Sequence, residues 1–317
     1  DPAPTEIYTF PYTTLFRSHW LRNAKTPAEY AAAGVFYQAA QLLHKQVGVV
    51  DFEPLRARFL EVYLALKLYI PGADSNIPSI RTYVRADNDE DNPKKFKPFV
   101  PGFDTLEKRL ATGFKYFREN NLEKAIEEFR QVIYTITVLT VADEEEEDKC
   151  KEVLSLCREY ILGLLIELER RKVAALDLKR NLELAAYFTR TKLQDAHRVN
   201  ALQVAMTQLF KAKNYNSALH FAGDLLKLVP TGARAEQAQK LKAKADSIAL
   251  DAVDIDFDPY AEFDICAASF TPLYKGASVV TDALVGAKYR AEESGNICSI
   301  TKITEIGVPA SGLRIRG

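Results

Sequence analysis

Asp143 to Asp148 is an unbroken acidic run, a feature that could hold a cation or dock a basic partner. Carboxylates are also favoured in the first turn of a helix, beside the positive end of its dipole, and this is the simpler reading. Such a helix would continue through Val153, Leu154, Tyr160, Ile161 and Leu165 to Arg170, Arg171 and Lys172. Those cations suit a helix end better than a phosphate site. Cys150 and Cys157 fall on one face of the same helix without a histidine or further cysteine at ligand spacing, so core packing is expected of them. His44, His197 and His220 each stand alone on an expected helix and are read as structural or surface residues. Asp254, Asp256, Asp258 and Asp264 alternate in a way that invites calcium, yet they lack the glycine and closing glutamate of a calcium loop. Loop solvation is the expected role.

The chain carries no phosphate loop, dinucleotide fingerprint, HExxH or GxSxG, so no catalytic constellation is expected. Its net charge of -1, with 27% charged and 47% hydrophobic residues, gives no basic footprint for nucleic acid. Neither a membrane-length apolar run nor a lipidation pattern is present, and four cysteines in 317 residues do not make a disulfide scaffold. A soluble chain in a reducing compartment is expected.

The elements that would position these residues are mainly helical. Leu106, Leu110, Phe114 and Phe117 recur on a helical face, and Asp104 with Glu107 has the form of a capping box. After Asn120 and Asn121 a second face follows as Leu122, Ala125, Ile126, Phe129, Val132, Ile133 and Ile136, with small Ala125 permitting close approach of a neighbour. The pattern returns at Ala218, Phe221, Ala222, Leu225, Leu226 and Leu228, behind Asn214 to Asn216 and ahead of Pro230. These positions are tetratricopeptide-like. Ala125 and Ala218 are not separated by a multiple of about 34 residues, so an irregular stack is expected in place of a tandem array. Long exposed faces of such a stack suit protein partners.

Upstream, Tyr8 to Ser18 (YTFPYTTLFRS) looks like the translation of a sequencing adapter, and residues 1–18 are not expected to be an evolved element. Thr26, Pro27, Ala28 and Glu29 then form a strong helix start, with Gly34 ending that helix and Gly48 ending a second through Phe36, Ala40, Leu43 and Val47. From Phe52 to Val84 two patterns compete: Phe59, Val62, Tyr63 and Leu66 fit a helix, whereas the β-branched content fits strands. Pro71, Gly72, Asn76 and Pro78 favour a reversal between arms Leu64 to Ile70 and Ile80 to Val84, an extended hairpin. Ala86 to Pro101 reads as a charged linker. After Leu250, clustered aromatics, glycines and prolines indicate a compact β-rich module.

Pro259 to Gly276 (PYAEFDICAASFTPLYKG) resembles a hallmark of the coatomer alpha subunit near its C-terminal end, and QVGVVDFEP (Gln46 to Pro54), REYILGLLIELERR (Arg158 to Arg171) and ELAAYFT (Glu183 to Thr189) resemble the same domain. Ile303 to Gly307, with Gly312, Leu313 and Arg314 beyond, extends the similarity to the end. The resemblance implies a structural subunit of the COPI vesicle coat, cytoplasmic and peripheral on Golgi membranes and vesicles, working in Golgi-to-ER and intra-Golgi transport. It implies coatomer epsilon as the direct partner and other coatomer subunits through the full-length protein. A generic helical scaffold and an unrecognised enzyme are the alternatives. The family's epsilon subunit is understood to encircle a β-hairpin; here Leu68, Tyr69, Ile70, Tyr83 and Val84 would supply its partner-binding surface. The family resemblance also implies, for many relatives, two more cysteines between those matching Cys266 and Cys298, which would suit a zinc module. Asp282 and Lys288 stand there in this chain, so no metal, cofactor or catalytic residue is expected. The fold class expected is mainly α, an irregular α-solenoid-like stack with a β-hairpin and a small β-rich C-terminal module. Its divisions would be residues 19–101 (helical hairpin, extended hairpin and linker), 102–250 (stack) and 251–317 (module).

Overall fold

The computed structural model describes residues 21–22, 24–72, 78–83, 100, 102–245, 248 and 250–316. The adapter-like stretch, Asn76, Val84 and the linker from Ala86 to Pro101, save Val100, lie outside the described residues. The described chain is mainly helical, with α1 (Pro27–Ala32), α2 (Phe36–Val47), α3 (Arg56–Ala65), α4 (Thr105–Arg118), α5 (Leu122–Ile136), α6 (Glu144–Val173), α7 (Leu178–Phe188), α8 (Asp195–Lys211), α9 (Tyr215–Leu228) and α10 (Ala233–Ala245). Three two-stranded antiparallel sheets accompany them among the described residues: β1 (Lys67–Ile70) with β2 (Ile80–Tyr83), β3 (Phe263–Ile265) with β4 (Pro272–Tyr274), and β5 (Val279–Thr281) with β6 (Lys288–Arg290).

The capping box of α1 forms as the sequence suggests: the Glu29 amide donates to the Thr26 hydroxyl, and the Glu29 carboxylate accepts from the Thr26 amide. Gly48 ends α2 in the left-handed region at φ 70°, which a Cβ would strain. At α6, Asp143 caps the Glu146 amide while the Glu146 carboxylate accepts from the Ala142 amide. The acidic run is thus the start of a 30-residue helix.

Two expectations need correction. Asp104 makes no capping hydrogen bond, because its own backbone is already helical (φ -57°, ψ -20°) and the carboxylate is not set over the following amides. The Thr105 hydroxyl instead donates to the Gly102 carbonyl. The first arm of the extended hairpin also starts later than Leu64. Helix α3 runs to Ala65 because Phe59, Val62 and Leu66 fall at helical spacing and are buried, so burial of that face prevails over strand propensity.

Consecutive helices from α4 to α10 pack side by side. Their main core centres on fully buried Tyr160 of α6, whose ring meets Phe114, Phe117, Phe129 and His197 at centroid distances of 5.0–5.8 Å. The Tyr160 hydroxyl lies 2.6 Å from His197 Nδ1, and burial lowers the His197 pKa, keeping this ring neutral. Helix α7 is buried on all sides from Asn181 onward: Leu184, Tyr187 and Phe188 face the main core, and Leu182, Ala185 and Ala186 join a second cluster with α8, α9 and α10. Among the described residues no helix is long and apolar enough to cross a membrane.

The main core continues beyond α10 through Ile265, Cys266, Tyr289, Cys298, Ile303 and Ile315. Their chain also returns to the start of the fold, where the Val50 amide donates to Ile303 and the Val141 amide to Ile315.

Candidate interaction site

The β1–β2 hairpin pairs Lys67 with Tyr83, Leu68 with Thr82, Tyr69 with Arg81 and Ile70 with Ile80. Alternation along a strand puts Leu68 and Ile70 on one face, with Ile80 opposite Ile70, and directs Tyr69 to the other. Leu68, Tyr69, Ile70 and Ile80 are 46%, 58%, 47% and 52% exposed, which for large apolar side chains in a ladder of four residue pairs leaves about half of their surface to water. A lone two-stranded hairpin is marginal in water. Its footing is at Tyr63 of α3, over whose ring the Lys67 ammonium sits 3.9 Å from the centroid. Tyr83 occupies the last paired position of β2, and Val84 lies just outside the described residues. The exposed Leu60 and Leu64 of α3 carry the apolar surface away from the hairpin foot.

The C-terminal module is built on a device that hydrophobic periodicity does not reveal. Cys266, Asp282 and Cys298 recur every sixteen residues, and each opens the same tight loop. In each loop the amide of the fifth residue donates back to the carbonyl of the first: Phe270 to Cys266 at 2.9 Å, Gly286 to Asp282 at 3.0 Å, and Lys302 to Cys298 at 2.9 Å. That fifth residue has positive φ every time, at 53°, 68° and 62°. The first side chain accepts amides from within its own loop: Ala268 and Ser269 onto Cys266, Val285 and Leu284 onto Asp282, and Thr301 onto Cys298. The only local sequence signal is a small residue after the first, Ala267, Ala283 or Ser299.

This geometry does not fit a zinc ion. The Asp282 carboxyl accepts from Leu284, Val285 and the Thr304 hydroxyl, and the Lys288 ammonium is paired with Asp264. Among the described residues no three His, Cys, Asp or Glu side chains converge as metal ligands. Burial raises the Cys298 thiol pKa, with the Asp282 charge adding to it. Burial also pushes the Cys266 thiol up, but hydrogen bonds from Ser269 and from the backbone at Ser269, Arg290 and Ala268 outweigh it, for a net lowering. Asp258 accepts the Tyr260 amide of its own loop, and Asp256 the hydroxyl of Tyr274 at the end of β4.

Arginines of the stack grip the module by its carbonyls. Arg130 of α5 donates to Ser299 and Ile300 through two nitrogens, while Arg158 of α6 reaches Val285 and Gly286, and Arg180 of α7 Ser269 and Phe270, each through one terminal nitrogen, one arginine to each loop. Arg190 holds Asp258 and Pro259 in the same manner. Arg170, by contrast, turns inward to Glu167 and Asn181 at the end of α6, as a helix-end residue.

A helical stack bearing a rigidly clamped, loop-rich cap and one exposed apolar hairpin has the architecture of a contact-making protein. The family defined by the C-terminus of the coatomer (COPI) alpha subunit matches residues 3–317, and the chain belongs to that family. It is 49% identical over 320 aligned residues to coatomer subunit alpha of Saccharomyces cerevisiae, covering 100% of this chain and 27% of the relative. Coatomer subunit alpha-2 of Arabidopsis thaliana is 35% identical and the putative coatomer subunit alpha of Schizosaccharomyces pombe 33%, each over 93% of this chain and 24% of its own length. The chain therefore spans about a quarter of the length of these curated relatives.

Proposed function

We propose that the chain is a structural, non-catalytic part of the COPI coat that receives the coatomer epsilon subunit on its β1–β2 hairpin. Residues 19–101 would present the hairpin, 102–250 form the supporting stack, and 251–317 cap it. Its place would be the cytoplasmic face of Golgi membranes and of vesicles in Golgi-to-ER and intra-Golgi transport, reached through the assembled coat and other coatomer subunits. The observation that carries the reading is the outward apolar surface of Leu68, Tyr69, Ile70 and Ile80 on a hairpin that has few stabilising contacts of its own. A clasping partner would bury that surface and stabilise the hairpin together.

Calorimetric titration of the chain with an epsilon-type subunit tests this. Aromatic anchors at the centre of an interface are each worth about 2 kcal/mol or more, so Tyr69→Ala with Tyr83→Ala should weaken binding by at least ~30-fold. Helical content should stay unchanged. Undiminished binding by the double variant would remove the hairpin as the docking element.

A further inference from the structure

A cleft of about 260 Å³ opens at the foot of the hairpin, between α3, α4 and the end of α5. Val62, Ala65, Val138 and Leu139 give it apolar walls, and Arg58 and Arg109 bring two guanidinium groups to it. Arg58 is only 9% exposed, yet among the described residues its side chain donates only to Glu61, from Nη1, and Glu61 is more than half in solvent. Its Nε is buried without an acceptor. Arg109 makes no side-chain hydrogen bond or ion pair among the described residues. Burial and the neighbouring Arg109 charge both lower the Arg58 pKa, while Glu61 and Glu128 oppose them. Glu128 makes no hydrogen bond to either arginine, and Glu61 engages only the outer edge of one. Glu61 also lines the cleft and offsets part of the Arg58 charge, so it is Arg109, together with the unpartnered Arg58 Nε, that an incoming anion would relieve.

We propose that this cleft receives an acidic side chain of the same protein that seats on the hairpin, held between Arg58 and Arg109. The inference rests on the docking reading above. Helix α3 lines the cleft as far as Ala65, two residues before β1 begins, and Leu60 and Leu64 continue the exposed apolar surface along that helix. Leu60 and Leu64 lie on a different face of α3 from Arg58, Val62 and Ala65, so it is the two-residue step from Ala65 to β1 that brings the cleft within reach of a partner clasping the hairpin. The apolar walls suit the methylenes of a glutamate, whose carboxylate would reach the guanidinium groups at the end.

The test uses the half-buried Arg109, since Arg58 is part of the packed interior. The full chain and its Arg109→Gln, Arg109→Glu and Arg109→Lys variants are titrated with an epsilon-type subunit at low and high salt, with thermal unfolding as the control for folding. Truncating one partner of an interfacial charge pair should weaken binding about tenfold for glutamine and more for glutamate, with a shallower salt dependence, and lysine should retain most of the affinity. Binding by Arg109→Glu within about twofold of the unsubstituted chain, at an unchanged salt slope, overturns the cleft while leaving the hairpin reading intact. Failure of the unsubstituted chain to bind at all overturns the docking reading and this inference with it.

Discussion

Asp282 is a carboxyl group placed where a charge is costly. It is 1% exposed, and burial raises its pKa even though Thr304, Val285, Leu284 and Cys298 hydrogen-bond to it. For a group whose folded pKa lies above its unfolded value, the stability contribution is complete below the unfolded pKa. It is lost as pH rises through the folded value. Asp282→Asn keeps an oxygen for the Leu284 and Val285 amides and removes the titration. The difference in melting temperature between this variant and the parent should therefore grow in favour of asparagine as pH rises from about 4 to about 8, and common contributions such as His197 cancel in the difference. A constant difference across that range would show that the carboxyl does not titrate with folding. Asp282→Ala strands two buried amides and should cost about 2–4 kcal/mol near pH 4, and less as pH rises and the carboxyl's own contribution is lost. That an aspartate stands at position 282 was readable in the sequence, but its role was not. A side chain that caps its own loop depends on backbone direction, and composition carries no trace of that.

Close helix packing shows the same divide between pattern and geometry. The face Leu122 to Ile136 was legible because burial of a helix imposes its period on the sequence, and Ala125 is fully buried there. A still closer approach of α4 to α5 is made at Gly113, where an added Cβ would lie 2.9 Å from the Phe129 ring. Alanine would gain about 1 kcal/mol of helix propensity at that position, but overpacking costs about 1–3 kcal/mol. Phe129 is fully buried and holds the aromatic cluster around Tyr160, so it has little freedom to give way. Gly113→Ala should thus lower the melting temperature by several degrees, and a rise would show that α4 can shift. The hairpin was legible from its turn residues, whereas its starting point was not. Val62 and Leu66 satisfy helical and extended patterns alike, and only the core beside them decides between the two.

At the scale of the whole molecule, the C-terminal module is less a sheet domain than a set of loops fastened to helices. Its strands are three residues long, too short to hold it by ladder hydrogen bonds alone. Fastening falls to contacts far apart in sequence, Arg130, Arg158 and Arg180 each donating to two carbonyls of one loop, and this is why sequence texture marked the module but gave no sign of how it is attached. Hydrogen bonds from a charged donor contribute about 1.5–3 kcal/mol each, and buried carbonyls left without them add a desolvation cost. Arg158→Met combined with Arg180→Met preserves much of the apolar stem while releasing two of the three loops. Limited proteolysis should then cut between Asp251 and Glu262 at least ~10-fold faster, since lowering the cost of opening the module by about 1.4 kcal/mol is a factor of ten in the cleavable population. The helical signal in circular dichroism should persist, because the second core formed by α7 to α10 draws no residue from the loops that these arginines hold. Unchanged cleavage in the methionine variant would mean that the apolar contacts of Ile265, Tyr289 and Ile303 fasten the module without the arginines.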